Sequence, residues 1–175
     1  MLFRSLDGGP CAVGVESTIV DATGERPVVL RLGAVTPAQI ASVTGLVASD
    51  SLHGAVAAPG TLASHYAPEA RVELVTADDA APCLRAHLGA GRRVGLLAMA
   101  NAGVRLDVDL MASVVELHGP IDVAAFARDL YARLREADTL GLDVLVVVAP
   151  DGTGDDAGLA AAVTDRLRRA ATVTP

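Results

Sequence analysis

VGVESTIVDATGERPVVLRLGAVT, residues 13–36, sets two apolar runs on either side of a polar turn. The runs, Val13 to Asp21 and Val28 to Leu32, are dense in β-branched residues, which fit a pleated, half-buried surface. With ATGERP between them, they predict two strands joined by a turn. A turn centred near Gly24 and Glu25 places Ser17 opposite Arg31 or its neighbour. A hydroxyl and a guanidinium then meet on one small sheet. That pairing suits a phosphate or a carboxylate, because arginine offers a planar fork of donors and serine a short, rotatable one. The plainer alternative is a half-exposed hairpin of ordinary polar residues, with Arg31 a surface cation paired with Glu25 or Asp21. Glu16 and Thr18 alternate with Ser17 along a strand and face the other way, so only one of the two sets lines a site.

Outward from this stretch, DGGP at 7–10 is a turn signal leading into the first strand. Downstream, Thr36, Pro37 and Gln39 form a capping-box helix start, and Gly45 is placed to stop the helix. Ile40 and Val43 are expected to pack it onto the hairpin. From Ser49 to Pro68 periodicity gives way to Gly, Pro, Ala, Ser and His, the composition of a linker. The predicted organisation is therefore an N-terminal unit (1–48), a linker (49–70) and a C-terminal unit (71–175).

The C-terminal unit reads as alternating strand and helix. Strands are predicted at 72–77, 93–99, 113–117 and 143–149, the last an apolar run typical of a parallel strand buried on both faces. Asp78 or Asp79 is expected to cap a helix carrying Cys83, Leu84 and Leu88 on one face. Ile121, Asp122 and Phe126 stand in staple, cap and fourth-residue positions for the next helix, whose apolar stripe is Phe126, Leu130 and Leu134. A last helix, about 158–171, turns Leu159, Val163 and Leu167 inward. Strands and helices alternating at this spacing predict a small parallel α/β sheet.

Composition narrows the function. Half the chain is apolar (51%) but only 2% aromatic, so Ala, Val and Leu must fill the core. A net charge of −7 argues against a broad basic face for nucleic acid. Cys11 and Cys83 are read as standing in neither CxxC nor CxxxH spacing; they are expected as reduced, semi-buried thiols, with neither a disulfide framework nor a metal site. No apolar run reaches the roughly 20 residues of a membrane span, and no signal peptide opens the sequence, so the cytoplasm is the expected compartment. PDGTGDDAG (150–158) precedes a helix as phosphate loops do, but lacks their lysine and would set Asp155 and Asp156 against an anion. Helix capping by aspartate is the better reading. Arg166, Arg168 and Arg169 read as cations complementing a helix C-terminus. His53, His87 and His118 are scattered, and no catalytic set of side chains stands out.

GVESTIVD, then LRLGAVT with its arginine fourteen residues after the serine, then PGTLASHYAP, then AVTDRLRRAA, together resemble the threonylcarbamoyl-AMP synthases that carry an added C-terminal domain. The first two segments look like the end of the YrdC-like catalytic domain. The third looks like the linker behind it, and the fourth like the end of a Rossmann-like accessory domain. The resemblance implies an α/β protein made of the C-terminal remnant of a YrdC-like domain, a linker and a small Rossmann-like domain. It implies a nucleotidyltransferase that condenses L-threonine, bicarbonate and ATP into threonylcarbamoyl-AMP and pyrophosphate, with Mg2+ accompanying the ATP. A partner system then passes the threonylcarbamoyl group to a tRNA adenosine, so tRNA is involved only indirectly.

By the same resemblance Ser17 touches threonine, Arg31 neutralises charge on ATP or the adenylate, and Tyr66 folds over the nucleotide with His65 beside it as a possible lid. Tyr66 packing on the second domain is the structural alternative. No catalytic residue is assigned. The sequence departs from the family pattern at Leu62, Ala63 and Ser64, where an aromatic and a basic residue are expected, and at Leu32, where a proline is usual. The basic nucleotide-binding cluster of the family lies upstream of GVESTIVD. The chain thus looks like a C-terminal piece, catalytically incomplete alone, with the N-terminal catalytic half as a partner. A reading from another class is a non-catalytic module that binds nucleotide or a partner chain; a third is a truncated product.

Overall fold

The computed structural model describes residues 8, 9, 11–50 and 67–171. The expected antiparallel pair is present but shorter than its β-branched runs: β1 is Ile19–Asp21 and β2 is Val28–Arg31. Ile19 pairs with Arg31, Val20 with Val29 and Asp21 with Val28, with an irregularity between Ile19 and Val20. The first run is cut short because its beginning leaves the sheet for a different partner. Val15, 6% exposed, is packed into the core of the C-terminal unit. Gly14 permits that approach: it has φ of +78°, and a Cβ there would fall 2.1 Å from the Cα of Arg128.

The capping box forms as read. Thr36 Oγ1 accepts from the Gln39 amide at 3.0 Å, and the Gln39 side chain accepts from the Thr36 amide at 2.8 Å. It starts α1 (Pro37–Thr44), which Gly45 ends at φ +70°. The expected packing of this helix does not occur: no residue of α1 is buried, and Val43 is 87% exposed. The box fixes the first turn, while an eight-residue helix whose only large aliphatic side chains are Ile40 and Val43 makes too small a face to dock. Next comes β3 (Ser49–Asp50), the residues that open the expected linker, which pairs parallel with β2. His65 and Tyr66 lie outside the described residues.

The C-terminal unit runs β4 (Arg71–Val75), α2 (Ala77–Gly89), β5 (Val94–Leu97), α3 (Val108–Ser113), β6 (Val115–Glu116), α4 (Val123–Thr139), β7 (Val144–Val148) and α5 (Ala157–Ala171). Its sheet is wholly parallel, in the order β4-β7-β5-β6. The expected α/β class is thus the observed one. All five residues of β7 are buried, as suits a strand inserted between two others. Their alternation divides the core in two. Leu145 and Val147 join Phe126, Leu130, Leu134, Val163 and Leu167, whereas Val144 and Val146 join Leu84, Val94, Leu96 and Leu110. Helices α4 and α5 therefore cover one face, and α2 and α3 the other. Each fully buried Leu or Val contributes about 1.5–3 kcal/mol.

Local expectations differ at several ends. Thr76, not an aspartate, caps α2, its side chain accepting from the Asp79 amide. Helix α3 has no counterpart in the sequence reading, because six residues with one buried position, Leu110, give no period to detect. Asp122 caps α4 as read, but Ile121 is 78% exposed and forms no staple with buried Phe126. The Gly-rich turn enters α5 through a 3-10 turn, Gly154–Asp156, whose N-cap Thr153 makes no side-chain cap bond. Cys11 is exposed rather than semi-buried. No helix among the described residues is long and apolar enough to cross a membrane.

Candidate functional site

The hairpin brings Ser17 and Arg31 together, though not by facing them across the ladder. Arg31 is paired with Ile19 in register, and its side chain reaches back along the first strand. Its Nε donates to the Ser17 carbonyl at 2.9 Å and its Nη2 to Ser17 Oγ at 3.4 Å. Only 8% of Arg31 is exposed, whereas Ser17 is open to solvent. Arg31 is thus not a surface cation. Asp21, one of the carboxylates considered for it, accepts instead from the amide and hydroxyl of Thr23. Thr18 turns away from Ser17 and donates to the Val35 carbonyl at 2.7 Å. Gly33 closes the arrangement: a Cβ there would fall 2.3 Å from the Thr18 amide nitrogen and 2.6 Å from the Glu16 carbonyl oxygen.

Behind this pair lies a contact that joins the hairpin to the α/β unit. Arg166 of α5 donates through Nε to Glu16 at 2.8 Å and through Nη2 to the Leu32 carbonyl at 2.8 Å. Its Nη1 is 2.6 Å from Asp165. The Tyr131 hydroxyl of α4 lies 2.9 Å from each Glu16 carboxylate oxygen. One guanidinium therefore grips both arms of the hairpin, at the residue before Ser17 and at the residue after Arg31. A planar fork with several donors can do this; a lysine ammonium cannot span both acceptors. Arg166 is accordingly no solvent-facing end-of-helix cation: its side chain is 4% exposed, against 26% for Glu16. The sequence signal was available. Arg166 stands three residues after Val163 and one before Leu167, a cation set within the apolar stripe of α5.

Electrostatics follow from this clasp. Burial works to raise the Glu16 carboxyl, but hydrogen bonds from Arg166, its own backbone and Tyr131, with the Arg166 charge, hold it below the usual carboxylate range. Burial, and then Glu16, push the Tyr131 phenol upward. A depressed folded-state carboxyl stabilises above the unfolded value, about 4.3 for glutamate, and that stability is lost as pH falls through the lower folded value. Urea midpoints followed from neutral pH to about pH 3 should therefore drop more steeply in the parent than in Glu16→Gln. Glu73, Asp21 and Asp107 are also held low and titrate in both proteins. Parallel curves would mean that Glu16 is not coupled to folding.

A separate crevice of about 820 Å3 opens at the C-terminal ends of β4, β5 and β7, lined among others by Thr76, Asp79, Asn101, Asp151, Thr164 and Arg168. Open parallel sheets commonly take ligands at this edge.

The family described as "Threonylcarbamoyl-AMP synthase, C-terminal domain" matches residues 35–172. The chain belongs to this family. The threonylcarbamoyl-AMP synthase of Pyrococcus abyssi (strain GE5 / Orsay) is 31% identical over 94% of the chain, and that of Bacillus subtilis (strain 168) 30% identical over 95%. The chain spans about half the length of these curated relatives, 48% of each. Two solved structures agree. P. abyssi Sua5 complexed with L-threonine superposes with a TM-score of 0.70 at 30% identity, over 94% of this chain and 48% of that one. A variant of P. abyssi Sua5 with a histidine and the following tyrosine changed to alanine gives 0.72 at 28% identity, over 94% and 47%. The threonylcarbamoyl-AMP synthase C-terminal domain family therefore accounts for the α/β unit, while Ser17 and Arg31 precede the matched segment.

Proposed function

We propose that the chain is the C-terminal part of an L-threonylcarbamoyladenylate synthase, a nucleotidyltransferase of tRNA threonylcarbamoyladenosine formation, working in the cytoplasm. Its hairpin would present Ser17 to L-threonine and Arg31 to the phosphates of ATP or the adenylate. The observation that carries this reading is the Ser17–Arg31 pair, 3.4 Å apart on a clasped hairpin, in a chain whose curated relatives are threonylcarbamoyl-AMP synthases.

In the proposed reaction the amine of L-threonine first bonds to the carbon of bicarbonate as a C–O bond breaks and water leaves, giving the carbamate. A carbamate oxygen then bonds to the α-phosphorus of ATP as the bond to pyrophosphate breaks. Negative charge builds on the phosphoryl oxygens, and a guanidinium already fixed by its bonds to Ser17 can stabilise it without reorganising. Mg2+ would arrive with the ATP on its phosphates, and no side chain of this chain is assigned to it. Tyr66, with His65 beside it, would close over the nucleotide from the linker. That the P. abyssi protein was studied with a consecutive histidine and tyrosine replaced makes this pair the first lid residues to test. Transfer to tRNA would fall to a separate system, which suits a chain of net charge −7.

The test is pyrophosphate release from ATP, threonine and bicarbonate, with the YrdC-like catalytic half joined to or mixed with this chain. Loss of a group that stabilises developing charge costs about 100-fold or more in rate. Arg31→Ala should fall by that much, Ser17→Ala by a rise in the threonine KM, and Arg31→Lys should lie between Arg31→Ala and parent. Parent-like rates in both alanine variants would overturn the assignment. A second reading, a regulatory module that binds a nucleotide or a partner, draws on the crevice at the strand ends. It predicts nucleotide binding that survives Arg31→Ala and is lost on Arg168→Glu.

A further inference from the structure

Away from the hairpin, three side chains of different ligand chemistry converge at the edge of the parallel sheet. Glu73 lies on β4, the edge strand, and Cys83 and His87 lie four residues apart on α2, hence on one helix face. Cys83 Sγ is 3.2 Å from Glu73 Oε2, His87 Nε2 is 3.0 Å from the same oxygen, and the three atoms lie within 4.8 Å of one another. Arg71 Nε holds the other oxygen of Glu73 at 2.9 Å, which fixes the carboxylate with Oε2 turned toward the pair.

We propose that Glu73, Cys83 and His87 form a binding site for Zn2+ or a chemically similar transition-metal ion, with a fourth position left for water.

The argument is geometric and chemical. Tetrahedral zinc bonds of about 2.0–2.3 Å set neighbouring oxygen, nitrogen and sulfur ligands about 3.3–3.5 Å apart. The separations at Glu73 Oε2 are already within a few tenths of an ångström of that, so the ion enters by small side-chain shifts. A mixed sulfur, nitrogen and oxygen set suits zinc and disfavours Mg2+ and Ca2+, which take oxygen ligands. Two ligands from one helix and one from a strand make the site rigid on packed elements rather than on a loop. On coordination the Cys83 S–H bond is replaced by a bond from sulfur to the ion, and the proton leaves to water. His87 would bind through Nε2 and carry its proton on Nδ1. Exposed Arg92, whose Nη1 is now 3.2 Å from Nδ1, would turn aside. The proposal departs from the expectation of no metal site, which rested on reading neither CxxC nor CxxxH spacing at the cysteines; Cys83 and His87 do stand at cysteine-x3-histidine spacing on α2.

The test uses the whole chain and Co2+, a coloured stand-in for Zn2+. One equivalent of Co2+ should give a thiolate-to-cobalt charge-transfer band with tetrahedral visible bands, and Zn2+ should abolish both. The bands should persist in Cys11→Ser and in Arg92→Ala and vanish in Cys83→Ser. His87→Ala and Glu73→Gln should each weaken cobalt binding about tenfold or more, since even outer-shell changes at metal sites cost about 10–100-fold. Zn2+ should raise the melting temperature of the parent but not of Cys83→Ser. No charge-transfer band at one equivalent, a band that survives Cys83→Ser, or parent-like affinity in both His87→Ala and Glu73→Gln would each overturn the proposal.

Discussion

Arg166→Ala is expected to lower the unfolding free energy by about 3 kcal/mol, near the low end of the range for removing one member of a buried ion pair. Arg166 is deeply buried and Glu16 only partly so. Its loss leaves the Leu32 carbonyl without that donor and Glu16 with Tyr131 and such water as can reach it. Glu16 can recover some solvation, which keeps the cost from the top of the range. Arg166→Lys should restore charge but only part of the stability, because one ammonium cannot bond Glu16 and the Leu32 carbonyl together. Urea unfolding of the three proteins measures this. A loss below about 1 kcal/mol in Arg166→Ala would place the clasp among surface ion pairs of little consequence.

Gly33→Ala should be comparably harmful and more local. The added methyl meets backbone on the opposite arm, at Glu16, Ser17 and Thr18, with no flexible side chain to yield. Relief requires the two arms to part, which separates Ser17 from Arg31. Overpacking of this kind costs about 1–3 kcal/mol, occasionally more. The diagnostic result is a site effect without collapse of the α/β unit. Amides of β7 should keep their slow exchange while those at 17–19 and 31–33 exchange faster. Uniform acceleration across both sheets would mean that Gly33 serves the fold as a whole.

How far the sequence foretold this molecule depended on whether a feature was periodic. The buried strand Val144–Val148, the Asp122 cap with its Phe126, Leu130 and Leu134 stripe, and the capping box at Thr36 are local patterns, and all appear where read. Helix α3 escaped because one buried residue in six makes no pattern. The departure of Val15 from its strand could not be read locally, since the partner that draws it away lies more than a hundred residues downstream on α4 and α5. Turn symmetry foretold that Ser17 and Arg31 lie near each other but not how they meet, because Arg31 pairs with Ile19 and its side chain reaches back to Ser17. The meeting of Glu16 with Tyr131 and Arg166 was not legible, although a charge within each apolar run marked both ends of it. Long-range polar pairs leave only that faint trace, because their geometry is set by the packing of whole elements.

The central claim is that the α/β unit positions the Ser17–Arg31 pair through Glu16 and Arg166, and a double-mutant cycle on substrate affinity tests it most directly. L-threonine binding would be measured for the parent, Glu16→Ala, Arg166→Ala and the double variant, each joined to the YrdC-like half. Acting as one unit, the two residues should each weaken binding about tenfold, or about 1.4 kcal/mol, when removed singly. The double variant should then bind no worse than the weaker single, giving a coupling of similar size. Parent-like affinity in both single variants, or losses that multiply in the double, would contradict the account.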